Sequence, residues 1–237
     1  MKSNRKKARL AGGLYLLLVI LGVTSLMVIP SKLYVWDNPA ATVARIQSHE
    51  LLFRLGIACG LLTFLCYLIL PLALYSLLSP VHKIAAIFMV ALAAASVPIT
   101  FMDMGHLFSV LRLTSGAAYL DVFDPQLLHS EVMLHLHAFN DGNLIAQVFW
   151  GLWLFPLGFL VSRSGFLPKI LGWILMVGSI GYTFDCFGRV LWETYPDMIL
   201  ADYITVPANI GEFGICLWLL IMGAKEAPTA QYDPILP

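Results

Sequence analysis

Residues 55–78 read LGIACGLLTFLCYLILPLALYSLL and carry no charge. At 1.5 Å per residue, a helix of that length runs about 36 Å, enough to cross a hydrocarbon core about 30 Å thick. Apolar side chains fall on every face, so no stripe is left for water and lipid is the natural solvent. Pro71 lacks the amide proton that its turn would use, and a kink is expected there.

The same pattern recurs on both sides. Upstream, Asn38-Pro39 places a capping side chain before a proline at the first helical position. That is a helix start, and the helix leads through Arg54 into the apolar run. Earlier still, residues 10–29 are apolar and follow Lys2, Arg5, Lys6, Lys7 and Arg9. A secretory signal has a shorter apolar core and a small-residue cleavage site. This run closes instead on Met-Val-Ile-Pro30 and reads as a retained first transmembrane helix. Downstream, further helices are predicted over 84–113, 125–162 (opening at Asp124-Pro125), 170–191 and 204–223. With 51–78 these make about six. The expectation is an all-α, polytopic membrane helix bundle, one domain over 1–223, followed by a disordered tail over 224–237.

Composition agrees. Of 237 residues, 59% are hydrophobic and 12% charged, against roughly 25% charged in ordinary soluble domains. Fourteen basic and fourteen acidic residues cancel. That argues against nucleic acid as a partner, since a phosphate backbone demands a basic face. The four cysteines, Cys59, Cys66, Cys186 and Cys216, each sit in an apolar stretch and form no CxxC pair, so they read as small packing residues.

Basic residues set the expected orientation. With the N-terminus inside, Lys2, Arg5, Lys6, Lys7, Arg9, Lys83, Arg163, Lys169 and Lys225 are cytoplasmic. Only Lys32, Arg45, Arg54, Arg112 and Arg189 fall on the other side. Both termini are therefore expected in the cytoplasm.

Several short stretches carry a resemblance. They are Arg9-Leu-Ala-Gly12, Ala73-Leu-Tyr75, Gly151-Leu-Trp-Leu-Phe-Pro-Leu-Gly158, Pro168 with Leu171-Gly172, Gly181-Tyr182, and Glu212 with Trp218-Leu-Leu220 and Gly223. Together they resemble a prokaryotic membrane-protein family called domain of unknown function 4386, over nearly the whole chain. The resemblance implies a six-helix bundle in a prokaryotic plasma membrane and no particular activity.

Ionisable residues inside apolar helices are the candidates for function. A charge at the bilayer centre costs at least about 2.5–3.5 kcal/mol on insertion scales, so such groups turn inward and find partners. The candidates for a ligand site are Arg54, Asp103, His106, His137, Asp141, Asp185, Arg189 and Glu212. Counting along helices of alternating direction assigns them all to the extracytoplasmic half of the bundle, with Glu212 there or near the middle. Asp103/His106 are spaced i,i+3 and His137/Asp141 i,i+4, so each pair shares a face. A carboxylate beside an imidazole can hold a divalent metal or orient a proton transfer, which makes His106, His137, Asp103 and Asp141 candidate metal ligands. His135 diverges from His137 on a helix. Asp185 and Arg189 at i,i+4 can also neutralise one another, and Arg54 is the expected basic partner of Glu212.

No HExxH, GxSxG, P-loop or arginine ladder occurs. Three functions stay open: a binding or permeation pocket for a small molecule or ion, a structural or regulatory membrane subunit, and a metal-dependent hydrolase acting on membrane lipid.

Overall fold

The structure, a computed structural model, describes residues 2–224. The expected disordered tail lies almost wholly outside the described residues. Helix α1 is Lys2–Val23; it continues through a π turn, Thr24–Val28, into α2, Ile29–Leu33. Helix α3 is Pro39–Ser48, α4 is Glu50–Leu78 and α5 is Lys83–Leu113. Helices α6 (Pro125–Leu152) and α7 (Leu154–Arg163) follow, then α8 (Lys169–Leu191), α9 (Ile199–Tyr203) and α10 (Val206–Ile221). Six helical segments are long and apolar enough to cross a membrane: Asn4–Leu33, Glu50–Leu78, Lys83–Leu113, Pro125–Arg163, Lys169–Leu191 and Ile199–Ile221. No strand occurs among the described residues. This is a multi-pass helical membrane protein.

The helix boundaries follow from local chemistry. The Asn38 side chain accepts from the Ala41 amide at 3.0 Å, and Asp124 accepts from Gln126 at 2.7 Å. Both caps precede a proline, as the sequence predicts. The chain does not run unbroken from Asn38 into the second span, because the helix stops at His49 and restarts at Glu50. The long fourth segment is also interrupted, at Trp153. Pro156 has no amide to bond the Leu152 carbonyl four residues back, which loosens the helix there. Helix α1 starts eight residues before the apolar run, so its basic first turns project beyond the lipid-facing part.

Spans adjacent in the chain are adjacent in space. Helix α1 packs on α4, α4 on α5, α5 on α6 and α7, these on α8, and α8 on α10; α10 then returns to α1 and closes a ring. Both ends of the described chain meet at one end of the ring. There Lys7 bonds the Ser76 carbonyl, Arg9 the Ile221 carbonyl, and Gly223 lies against Arg5. We call this the terminal end. Its interior is filled by Ala8, Ala11, Leu70, Leu74, Leu154, Leu157 and Leu219. The opposite end is filled by Ile29, Leu33, Ile46, Phe53, Leu107 and Leu136, with α3 laid across α6.

Lipid-facing surfaces explain the composition. Met102 is 82% exposed, and Ile180, Ile170 and Val190 are among many large apolar side chains left uncovered. In water this belt would be an aggregation surface; in a bilayer it is the expected exterior. Close helix approach depends on missing side chains. Gly158 on α7 and Gly172 on α8 face one another, and a Cβ on either would meet the other's carbonyl oxygen.

Candidate functional site

Two groups of polar side chains lie within the ring. The first centres on Glu212 of α10. Its Oε1 accepts a hydrogen bond of 2.7 Å from the Tyr15 hydroxyl of α1. Tyr15 is 1% exposed, its ring lying 6.3 Å from that of Trp153. Tyr67 of α4 packs edge-on against Trp153 at 5.4 Å and against Trp150 at 6.4 Å. These side chains, with Thr63, Phe64 and Asn209, line a half-open cleft of about 180 Å³ between α1, α4, α6 and α10. The Tyr67 hydroxyl and the Trp150 indole N–H are buried and make no hydrogen bond.

Local structure explains the cleft. Helices α1 and α10 touch at Gly12, where a Cβ would meet the backbone of Leu219 and Leu220. One turn further on, the Tyr15 hydroxyl spans the gap to Glu212. Beyond that, Leu18, Val19, Gly22, Val23 and Leu26 of α1 and its π turn form one wall. The π turn is held by Ser25, whose hydroxyl donates to the Gly56 carbonyl at 2.9 Å. Gly60 faces the same hydroxyl, so the Gly56/Gly60 pair is where α4 admits α1. Single-turn π bulges inside α-helices recur at functional sites.

The second group joins α5, α6 and α8. Asp103 is 7% exposed and packs directly on Gly142, where a Cβ would overlap its carboxylate. Its Oδ2 makes no hydrogen bond, and the charge of Asp141 acts on it. Asp185 is 3% exposed; its Oδ2 accepts from Gln147 at 2.9 Å and from Arg189 at 3.0 Å. Tyr195, in the turn after α8, is fully buried beside it. Burial first, and then the Asp185 carboxylate, raise the Tyr195 phenol above its ordinary pKa; Arg189 acts in the opposite sense. Further out, His106 and His135 meet Nδ1 to Nδ1 at 3.0 Å, which requires one ring to donate and the other to accept.

The eight candidates therefore do not converge. Arg54 is bound to Glu50 on its own helix at 2.6 Å, in an exposed pair, and does not reach Glu212. Arg189 neutralises Asp185, as the i,i+4 spacing allows. His106 meets His135 rather than His137, and His137 lies 5.0 Å from the Trp36 ring. Asp141 is exposed on α6. Among the described residues, no three His, Cys, Asp or Glu side chains stand together in a way that can hold a metal ion.

The groups also differ in depth. Glu212 lies nine residues, about 13.5 Å of helix, before Ile221 at the terminal end of its span, and so sits near the middle of Ile199–Ile221. Asp185 lies about 24 Å beyond Lys169 and Asp103 about 30 Å beyond Lys83, counted from the same end. The groups are stepped through the bundle, shielded from lipid but not pooled. Glu212 thus takes the second of the two placements expected for it, near the middle of its span, because that span starts at Ile199 and not near 204. Tyr15, Tyr67 and Gln147, which complete these groups, were missed. A tyrosine within Leu-Ala-Gly-Gly-Leu-Tyr15-Leu-Leu-Leu is the signal that was available.

Comparison with known proteins places these features in a family. An uncharacterised protein from the archaeon Archaeoglobus fulgidus is 29% identical over 153 residues, covering 65% of this chain and 74% of that protein. No solved structure matches the chain. The model of the family described as Domain of unknown function (DUF4386) matches residues 10–223, which include all six spans in whole or in large part, and the chain belongs to that family.

Proposed function

We propose that the protein binds a small, largely apolar molecule bearing an amine or hydroxyl group in the cleft at Glu212. The supporting observation is the pairing of one carboxylate with two idle donors in an aromatic wall. Glu212 keeps one oxygen free beyond its bond to Tyr15, while the Tyr67 hydroxyl and Trp150 N–H lack acceptors. A buried donor without a partner costs about 1–3 kcal/mol, which a ligand oxygen would recover. An ammonium group would gain from both the carboxylate and the faces of Trp150 and Trp153. Apolar cavities of about 150 Å³ hold a benzene-sized molecule, and the cleft of about 180 Å³ matches that scale. Exposed Phe213 and Val23 flank the opening, so entry is sideways from lipid.

The orientation proposed with this reading puts the terminal end in the cytoplasm, on the charge bias of nine basic residues against five. The membrane is then the prokaryotic plasma membrane.

The test is titration of the detergent-solubilised protein with benzylamine and benzyl alcohol, followed by tryptophan emission and calorimetry. Saturable binding that weakens at least tenfold in Glu212→Gln and in Tyr67→Phe is expected. Identical titrations in wild type and both variants would remove the site.

A further inference from the structure

Away from Glu212, the bundle carries a larger recess on its lipid-facing side. It measures about 790 Å³ and lies between α5, α7 and α8, walled by Ile84, Phe88, Phe155, Phe159, Ile180 and Phe184. It is almost wholly apolar. That alone selects nothing, because lipid chains are as apolar as the wall and gain little by exchanging one for the other. Selectivity has to come from the ends.

The terminal end of this recess is basic. His82 lines it, with its ring edge-on to Phe159 at 5.7 Å. The Arg163 guanidinium sits 5.3 Å above the same Phe159 ring. Lys83 follows His82 at the first position of α5. A guanidinium held over a ring spends no N–H in a hydrogen bond there, and its N–H fork matches a phosphate in bidentate fashion. His82 is fixed too, since its Nδ1 accepts from the Ala85 amide at 3.1 Å. An arginine and a histidine on one aromatic ring at the mouth of an apolar trough, with Lys83 next in sequence, match the outline of a phospholipid: phosphate at the end, acyl chain along the groove.

We infer that this recess is a binding site for an anionic phospholipid of the leaflet at the terminal end, its headgroup held by Arg163 and Lys83 beside His82. The site is independent of the proposed Glu212 cleft. Each basic residue near a membrane surface favours anionic lipid about fivefold, so the pair supplies a preference on the order of 25-fold over a zwitterionic lipid. Ser79 to His82 form only a short link between α4 and α5, and Lys83 stands between the lining residues His82 and Ile84, so it is held close to the groove rather than on a long loop.

Native mass spectrometry of the full chain, released from nanodiscs of mixed phosphatidylglycerol and phosphatidylcholine, reads this directly. The wild type is expected to retain one phosphatidylglycerol in strong preference to phosphatidylcholine. The Lys83→Ala/Arg163→Ala variant should lose the preference, and Ala85→Phe, which fills the trough and leaves both cations, should lose the bound lipid. A Lys6→Ala/Lys7→Ala variant of equal charge change controls for general surface charge and should retain it. All variants must elute as the same monodisperse species as wild type. Equal retention of both lipids by wild type overturns the inference. So does loss in the Lys6/Lys7 control to the same degree, or efficient crosslinking between copies through Phe184→Cys, which would assign the groove to a second chain.

Discussion

The Tyr15 hydroxyl donates to Glu212 Oε1 across 2.7 Å and so ties the first membrane span to the last. The ring of helices closes at this seam, where Arg9 also bonds the Ile221 carbonyl at 3.4 Å and the Cys216 thiol the Gly12 carbonyl at 3.8 Å. Polar bonds between membrane helices contribute about 0.6–2 kcal/mol. Tyr15→Phe should therefore lower stability by about 1 kcal/mol, seen as a modest drop in the thermal midpoint in detergent. Glu212→Gln keeps an acceptor for Tyr15 and should lose less. A larger loss in Glu212→Gln than in Tyr15→Phe would mean that the bond is not what the carboxylate contributes.

At the same seam two adjacent glycines predict opposite outcomes. A Cβ on Gly12 would meet the backbone of Leu219 and Leu220, whereas one on Gly13 meets nothing within 4 Å. Gly12→Leu must push α1 off α10 and is expected to cost about 2–3 kcal/mol or to prevent assembly. Gly13→Leu adds an apolar side chain in open space and should be close to neutral. Expression level and thermal midpoint of the two variants, compared side by side, decide the matter; equal behaviour would contradict the packing.

Much of the architecture is legible in the sequence, for a physical reason. Lipid leaves no choice but helices for a run such as residues 55–78, and the caps at Asn38 and Asp124 are local chemistry that needs no tertiary context. The pairing of side chains across helices is not local. His135 and His137 look alike in sequence, yet rotation of α6 against α5 gives His135 to His106 and leaves His137 to Trp36. Arg54 misses Glu212 for a different reason: it stands 24 residues, about 36 Å of helix, from the terminal end of α4, against nine residues for Glu212 on its span, and Glu50 one turn away is within reach. Spacing shows which residues share a face, and only packing shows what that face meets.

Gly142 and Asp103 make a further case of packing that sequence hides. The carboxylate occupies the space where a Gly142 side chain would stand. Gly142→Ala should destabilise by about 2 kcal/mol or more, since the nearest atoms belong to a short, buried side chain with little room to turn. Asp103→Ala in the same chain removes the obstacle, so the double variant should be more stable than the sum of the singles implies. Strict additivity in a thermal double-mutant cycle would show that the two residues do not meet.

Asp185 is nearly sealed from solvent and takes its two hydrogen bonds from Gln147 and Arg189 on a single oxygen. Arg189 is its only cationic partner by contact among the described residues, and that side chain is 38% exposed. Arg189→Ala leaves a carboxylate that must either stay charged in a poor dielectric or take up a proton; removing one partner of a buried charge costs about 3 kcal/mol in such settings. Discounting for the exposure of Arg189, about 1–2 kcal/mol is expected here. Asp185→Asn removes the charge and keeps an oxygen for Gln147, so Asp185→Asn/Arg189→Ala should recover most of the loss. Thermal unfolding of the four proteins of this cycle at neutral pH checks the argument. A double variant no more stable than Arg189→Ala would mean that Arg189 does not act through the charge on Asp185.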